Sequence, residues 1–196
     1  FHVGSQSTSP KAHVEAIERC SQLINEAAAI NPNPMDILDI GGGFPVSYNF
    51  EDMNDEEYFT PIREAIKQYV PDGIRVIAEP GRYLMAPAVT AISSVSGKAK
   101  RGDYQWYYLD DGVYGSYSGQ IFDHACYPLQ ILNDTPQREV AILAGPTCDS
   151  IDIIAEDIEL PKLEEGDLVI GHMMGAYTYA TATHFNSLSG ASIVVI

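Results

Sequence analysis

The residue types able to do chemistry fall in short clusters, most of them at the ends of apolar runs. The first is His2-Val3-Gly4-Ser5, an imidazole and a hydroxyl around a glycine. A histidine alone at a strand end is more often a satisfied structural residue. The second is Asp39-Ile40-Gly41-Gly42-Gly43-Phe44-Pro45. Three consecutive glycines let backbone N–H groups approach an anion closely. The run has neither the spacing of a dinucleotide fingerprint nor the Lys-Ser/Thr of a P-loop, and a plain tight turn is the other reading. In the third, Glu79-Pro80-Gly81-Arg82, a carboxylate and a guanidinium stand three positions apart around a rigid turn. They are either an exposed ion pair of little energetic weight or fixed charges at a site. The fourth, Gly145-Pro146-Thr147-Cys148-Asp149-Ser150, sets a thiol beside a carboxylate. Such a thiol is usable if exposed and inert if buried. The fifth is Gly175-Ala176-Tyr177-Thr178, with Phe185-Asn186 downstream. Asp149, Asp152, Glu156 and Asp157 miss the calcium-loop spacing and read as a solvated acidic face, so no metal site is expected.

The elements that must position these clusters differ between the two ends of the chain. Ser9 and Pro10 predict a helix start, and Val14, Ile17, Cys20, Ile24 and Ala28 recur at helical spacing until the Asn31–Pro34 cluster. Met35–Ile40 reads as a short buried strand. Asn54 is a cap for a second helix carrying Phe59, Ile62, Ile66 and Tyr69, closed by Pro71-Asp72-Gly73. Ile74–Ala78 is a β-branched strand. This order implies a parallel sheet covered by helices. From about Val89 the helical period disappears, and Val89–Val95, Tyr104–Leu109, Val140–Ala144, Asp167–Ile170 and Ser192–Ile196 read as strands. Turns are expected at Lys100–Asp103 and Glu164–Asp167. The boundary falls near residue 88, with residues 1–88 part of an α/β barrel and 89–196 a mostly β domain.

Composition narrows the partners. The chain has 27 Asp and Glu against 11 Lys and Arg, which argues against a nucleic-acid or anionic-membrane partner. An acidic surface suits a cationic small molecule, though an acidic surface kept only for solubility is the more frequent case. Cys20, Cys126 and Cys148 are odd in number and widely spaced, which fits a reduced, cytoplasmic compartment better than a disulfide framework or zinc ribbon. No apolar run approaches the roughly 20 residues that cross a bilayer.

Taken in order, HVGS, DIGGGFP, AEPGR, DDGVYGS, FDHA, GPTCDS-x-D, GAYT and FN resemble the pyridoxal-phosphate-dependent decarboxylases of the alanine racemase-like fold, most closely the ornithine decarboxylase family. The resemblance runs from Phe1 to about Asn186 and implies the C-terminal part of a TIM-like (β/α) barrel followed by a mostly β domain. It implies that His2 stacks on the pyridine ring and that Glu79 faces the pyridine nitrogen. Ser5, Gly41, Gly42, Gly43, Pro80, Gly81, Arg82 and Tyr177 would hold the cofactor, chiefly its phosphate. Cys148 would return a proton to the α-carbon. Asp149 and Asp123, with Phe122 alongside, would take the distal ammonium of a basic amino acid. The implied assembly is a homodimer in which Cys148 and Asp149 enter the neighbouring subunit's site.

Two departures accompany the resemblance. Ser187 stands where the family usually has glycine after Phe-Asn, and the cofactor-binding lysine has no counterpart among Lys11, Lys67, Lys98, Lys100 and Lys162. The chain therefore reads as a fragment, inactive and poorly soluble by itself, of an enzyme that converts L-ornithine to putrescine. The open alternatives are lysine or diaminopimelate as substrate, and a non-catalytic regulatory relative. Diaminopimelate enzymes usually show Cys-Glu-Ser where this chain has Cys148-Asp149-Ser150.

Overall fold

The computed structural model describes residues 1–31, 35–49, 53–133 and 135–196. They form two compact units. One comprises residues 1–47 and continues to Leu84; the other is Met85–Ile196 together with Tyr48 and Asn49.

The first unit is α/β. Helix α1 spans Lys11–Ile30. Pro10 already has helical dihedrals, and Ser9 Oγ accepts the Lys11 N–H at 3.3 Å. The buried stripe is His13, Ile17, Ser21 and Ile24: Ile17 and Ile24 are as expected, His13 and Ser21 take the places of the half-buried Val14 and Cys20, and Ala28 is exposed. Asn31 N–H closes the last turn on the Ala27 carbonyl, and the rest of the expected stop signal, residues 32–34, lies outside the described residues. Strand β1, Ile37–Asp39, pairs in parallel with β2, Arg75–Ile77. Between them runs α2, Asp55–Tyr69, capped by Asn54, whose Oδ1 accepts the Glu57 N–H at 3.2 Å. Asp55, Glu56 and Glu57 in its first turn complement the helix dipole. Ile17, Ile24, Leu38, Ile40, Phe44, Tyr58, Ile62 and Ala65 form the core under these elements. A five-residue helix α3, Gly81–Met85, follows β2.

The second unit is a six-stranded sheet: β3 Ala91–Arg101, β4 Tyr104–Leu109, β5 Leu129–Ile131, β6 Arg138–Ala144, β7 Ile153–Pro161 and β8 Leu168–Gly171. Their order is β5-β8-β3-β4-β6-β7, antiparallel except for the parallel β4–β6 pair. A short helix α4, Gly119–Asp123, lies between β4 and β5 and ends where His124 adopts φ 53°. Val95, Tyr107, Leu109, Tyr117, Leu143, Leu163 and Val169 centre the core.

Three expectations are corrected, and two strands were missed. Ser192–Ile196 is exposed and has no regular structure, because β-branched residues make a strand only where an edge pairs with them. Lys98 and Lys100 lie inside β3, and the turn is confined to Gly102-Asp103, where Gly102 takes φ +61°. The acidic series is not one solvated face: Asp152 is 2% exposed, and β7 starts immediately after it. β5 and β7 were not expected; the acidic outward face of β7, Glu156, Asp157 and Glu159, hides the inward Ile154 and Leu160 from an apolar count.

Candidate functional site

In the first unit the candidate residues sit where three chain segments finish together. The Phe1 amino group donates to the Asp39 carbonyl at 2.9 Å, Ile40 N–H to Ile77 O at 2.9 Å, and Glu79 N–H to Gly41 O at 2.7 Å. That brings His2, the glycine turn and Glu79 side by side. The turn needs its glycines. A Cβ on Gly41 would stand 1.8 Å from the Phe1 carbonyl oxygen, one on Gly42 2.5 Å from that of Glu79, and one on Gly43 2.2 Å from that of Gly4. His2 Cε1 would lie 3.9 Å from the Gly42 Cβ, so the imidazole edges the turn while remaining exposed.

The facing loop, residues 4–7, is stitched to this turn. Ser7 N–H donates to Gly43 O at 2.9 Å, and the Gln6 amide both donates to Val46 O and accepts Val46 N–H. Beneath both lies His13, fully buried and stacked on Phe44 at 4.7 Å, with Nε2 3.1 Å from Gly42 O. Burial holds the His13 pKa below its ordinary value, against the opposing pull of the Gly42 carbonyl. Tyr58 donates to Ser7 O at 2.8 Å beside it. Ser5 and Gly81 are exposed, Pro80 is half-buried, and Arg82 is 6% exposed in α3. The N–H groups of Gly42 and Gly43 find no acceptor among the described residues. Orphaned donors in a turn packed too tightly for side chains, with a buried guanidinium in the same unit, fit an anionic phosphate.

In the second unit the turn after β6 carries Cys148, exposed, and Asp149, half-buried. Tyr114 donates to Asp149 Oδ2 at 2.5 Å and stacks on Phe185 at a centroid distance of 4.4 Å. Asn186 Nδ2 lies 3.5 Å from Cys148 Sγ. The Tyr114 hydroxyl, helped by the Ile151 N–H, holds the Asp149 carboxyl below the usual carboxylate range. In return that bond, with burial, pushes the Tyr114 phenol up to about 12. The result is a persistent carboxylate beside an exposed thiol. Phe122 and Asp123 are exposed in α4. The start of that helix packs on the segment carrying Tyr177: Ser118 Oγ donates to Thr178 O at 2.7 Å, and Tyr177, exposed, takes φ 57°. Tyr114 and Asp152 stand inside the quoted runs DDGVYGS and GPTCDS-x-D, and Gln6 in the turn at residues 4–7, but the sequence assigns no role to any of them or to His13.

A family model described as the C-terminal sheet domain of the pyridoxal-dependent decarboxylases matches residues 23–175. The chain belongs to the pyridoxal-dependent decarboxylase family. Its structure is similar to that of lysine/ornithine decarboxylase complexed with cadaverine from Vibrio vulnificus, with a TM-score of 0.94 and 51% identity, covering 97% of this chain and 52% of that one. The lysine/ornithine decarboxylase of Selenomonas ruminantium is 39% identical over 197 residues, 100% of this chain and 49% of the relative. Antizyme inhibitor 2 of Xenopus laevis is 37% identical over 211 residues, 98% of this chain and 46% of the relative. The chain thus spans about half the length of the relatives it matches. The α/β unit followed by a sheet domain is this family's C-terminal architecture, and its cofactor is pyridoxal phosphate. No helix among the described residues is long and apolar enough to cross a membrane.

Proposed function

We propose that the polypeptide containing this chain removes the α-carboxylate of a basic amino acid, with L-ornithine to putrescine as the first choice of substrate. The amino acid loses carbon dioxide and takes one proton on its α-carbon, leaving a diamine. The observation that carries this reading is the pairing of an exposed thiol, Cys148, with a carboxylate, Asp149, kept ionised by Tyr114. A carboxylate so held suits a distal ammonium, and a neighbouring S–H suits delivery of a proton.

On this reading residues 1–88 complete a cofactor-binding barrel and 89–196 form its β domain. Ser5, Gly41, Gly42, Gly43, Pro80, Gly81 and Arg82 would hold the phosphate end of pyridoxal phosphate. His2 would lie against the ring, and Glu79 would face the ring nitrogen and favour its protonated form. The chemistry that pyridoxal phosphate supplies there is an electron sink for the pair left on decarboxylation. Phe122 and Asp123 complete the distal pocket with Asp149, in a homodimer whose Cys148 and Asp149 serve the neighbouring subunit. Three unpaired thiols fit a cytoplasmic setting. Residues 1–196 alone are inactive, since Lys11, Lys67, Lys98, Lys100 and Lys162 lie on helix surfaces, in β3 or just beyond β7.

The test is carbon dioxide release by the full-length protein from L-ornithine, L-lysine and diaminopimelate, with Asp149→Ala and Asp123→Ala alongside. Turnover of ornithine or lysine that each variant weakens by about 100-fold in kcat/KM supports the assignment, because the ammonium loses its charged partner. Faster turnover of diaminopimelate sinks the substrate choice. The likeness to antizyme inhibitor 2 favours one second reading, a non-catalytic protein-binding relative. Absence of turnover on all three substrates with cofactor present would select it.

A further inference from the structure

The substrate end assigned above needs a thiol and a carboxylate at fixed positions on a surface turn, and Asp152 sits beneath that turn. Its carboxylate is buried and accepts two backbone N–H groups, that of Val113 on Oδ1 at 2.9 Å and that of Thr147 on Oδ2 at 3.0 Å. Its own backbone closes the turn from both sides: the carbonyl accepts Gly145 N–H at 2.8 Å, and the N–H donates to Asp149 O at 3.1 Å. Space for the carboxylate exists only because two neighbours lack side chains. A Cβ on Gly112 would stand 2.2 Å from Oδ1, and one on Gly145 2.1 Å from it.

These contacts close a circuit. Asp152 fixes Val113, the next residue Tyr114 donates its hydroxyl to Asp149, and Asp149 O returns to the Asp152 amide. Thr147, the other anchored residue, directly precedes Cys148. The geometry points to Asp152 as a positioning residue that sets where Cys148 and Asp149 stand relative to Tyr114. This assignment rests on the proposed roles of Cys148 and Asp149. A carboxylate is needed because both of its oxygens accept. An amide offers one acceptor and turns an NH2 toward the other N–H, leaving a buried donor unmatched. A glutamate adds a methylene that the Gly112–Gly145 gap cannot hold.

The experiment uses the full-length protein with pyridoxal phosphate bound. Asp152→Asn should keep cofactor affinity within about twofold yet lower kcat/KM about 10- to 100-fold, since small misplacements of reacting groups carry penalties of that size. Both KM and kcat should change, because the ammonium partner and the thiol move together. Alkylation of Cys148 by iodoacetamide, followed by peptide mass mapping, should change about fivefold or more, while exposed Cys126 keeps its wild-type rate. Wild-type kinetics and an unchanged Cys148 rate overturn the inference. Asp149→Ala separates it from the reading beneath: if that variant also keeps wild-type kcat/KM, the site assignment itself fails. If only Asp152→Asn is silent, the positioning role alone fails. Should Asp152→Asn not fold, deuterium exchange in the wild-type protein decides. Val113 and Thr147 amides should exchange about tenfold or more slowly than that of Cys148, and equal rates refute the anchor.

Discussion

The two units hold their candidate residues by opposite means. In the first, backbone packs on backbone: the glycine turn exists because Gly41, Gly42 and Gly43 put no side chain against Phe1, Glu79 and Gly4. In the second, side chains hold side chains, with Tyr114 on Asp149 and Asn186 against Cys148, over a buried carboxylate that pins two amides. A site made by exclusion fails abruptly, because any added atom collides. A site made of hydrogen bonds fails by degrees, one contact at a time.

The largest effect should therefore come from Gly41→Ala. The residue has φ +66°, and its new methyl would meet the Phe1 carbonyl oxygen at 1.8 Å, so backbone must shift. A loss of about 4 kcal/mol or more is expected in urea unfolding of the full-length protein, with cofactor binding lost as well. A loss below about 1 kcal/mol would show that the turn yields, and would break the contrast between the units.

Tyr114→Phe sharpens the other side. The ring and its stack on Phe185 remain while the donor to Asp149 goes. kcat/KM should fall about 5- to 30-fold, as expected for loss of one hydrogen bond to a charged group. The sign of the pH effect follows from the same bond. Tyr114 is the main reason the Asp149 carboxyl titrates low, so the variant's carboxyl rises and the acid limb of the pH–kcat/KM profile moves to higher pH. An acid limb that stays put would remove Asp149 from that profile.

The smallest effect is expected from His13→Phe, which keeps a stacked ring but deletes the bond to Gly42 O. It should reduce stability by about 1 kcal/mol near neutral pH. Because burial lowers the His13 pKa in the folded state, the unfolded chain binds more protons once the pH falls below 6.5. Stability is thus lost as the pH drops from that value through the folded pKa. In His13→Phe this stretch of the melting-temperature profile should flatten; an unaltered slope would mean other groups produce it.

What could be read from sequence and what could not divide along the same line. The glycine turn, the Asn54 cap and the parallel strands around α2 were legible because each depends on residues close together in the chain. The Tyr114–Asp149 bond joins residues far apart, and no local pattern announces it. Asp152 misled because its partners are amides, which every residue has; among acidic neighbours its burial leaves no mark. His13 and Ser21 misled in another way: they are polar residues on the buried stripe of α1, so an apolar count selects Val14 and Cys20, which are only half-buried.

The strand order of the second unit has a consequence in time. The first strand to leave a ribosome, β3, is a central one, and one of its two neighbours is the last: Ile92 pairs with Ile170 and Ala91 with Gly171. Closing such distant pairs is slow, because the intervening chain must give up its freedom before the contacts form. Until β8 is made, β3 can pair only with β4 and keeps its other edge bare, and Ile92 is exposed even in the finished unit. The α1, β1, α2, β2 segment meets no such delay, since its strand partners flank a single helix. Synthesis rate and chaperone supply should then govern the yield of the sheet far more than that of the α/β unit.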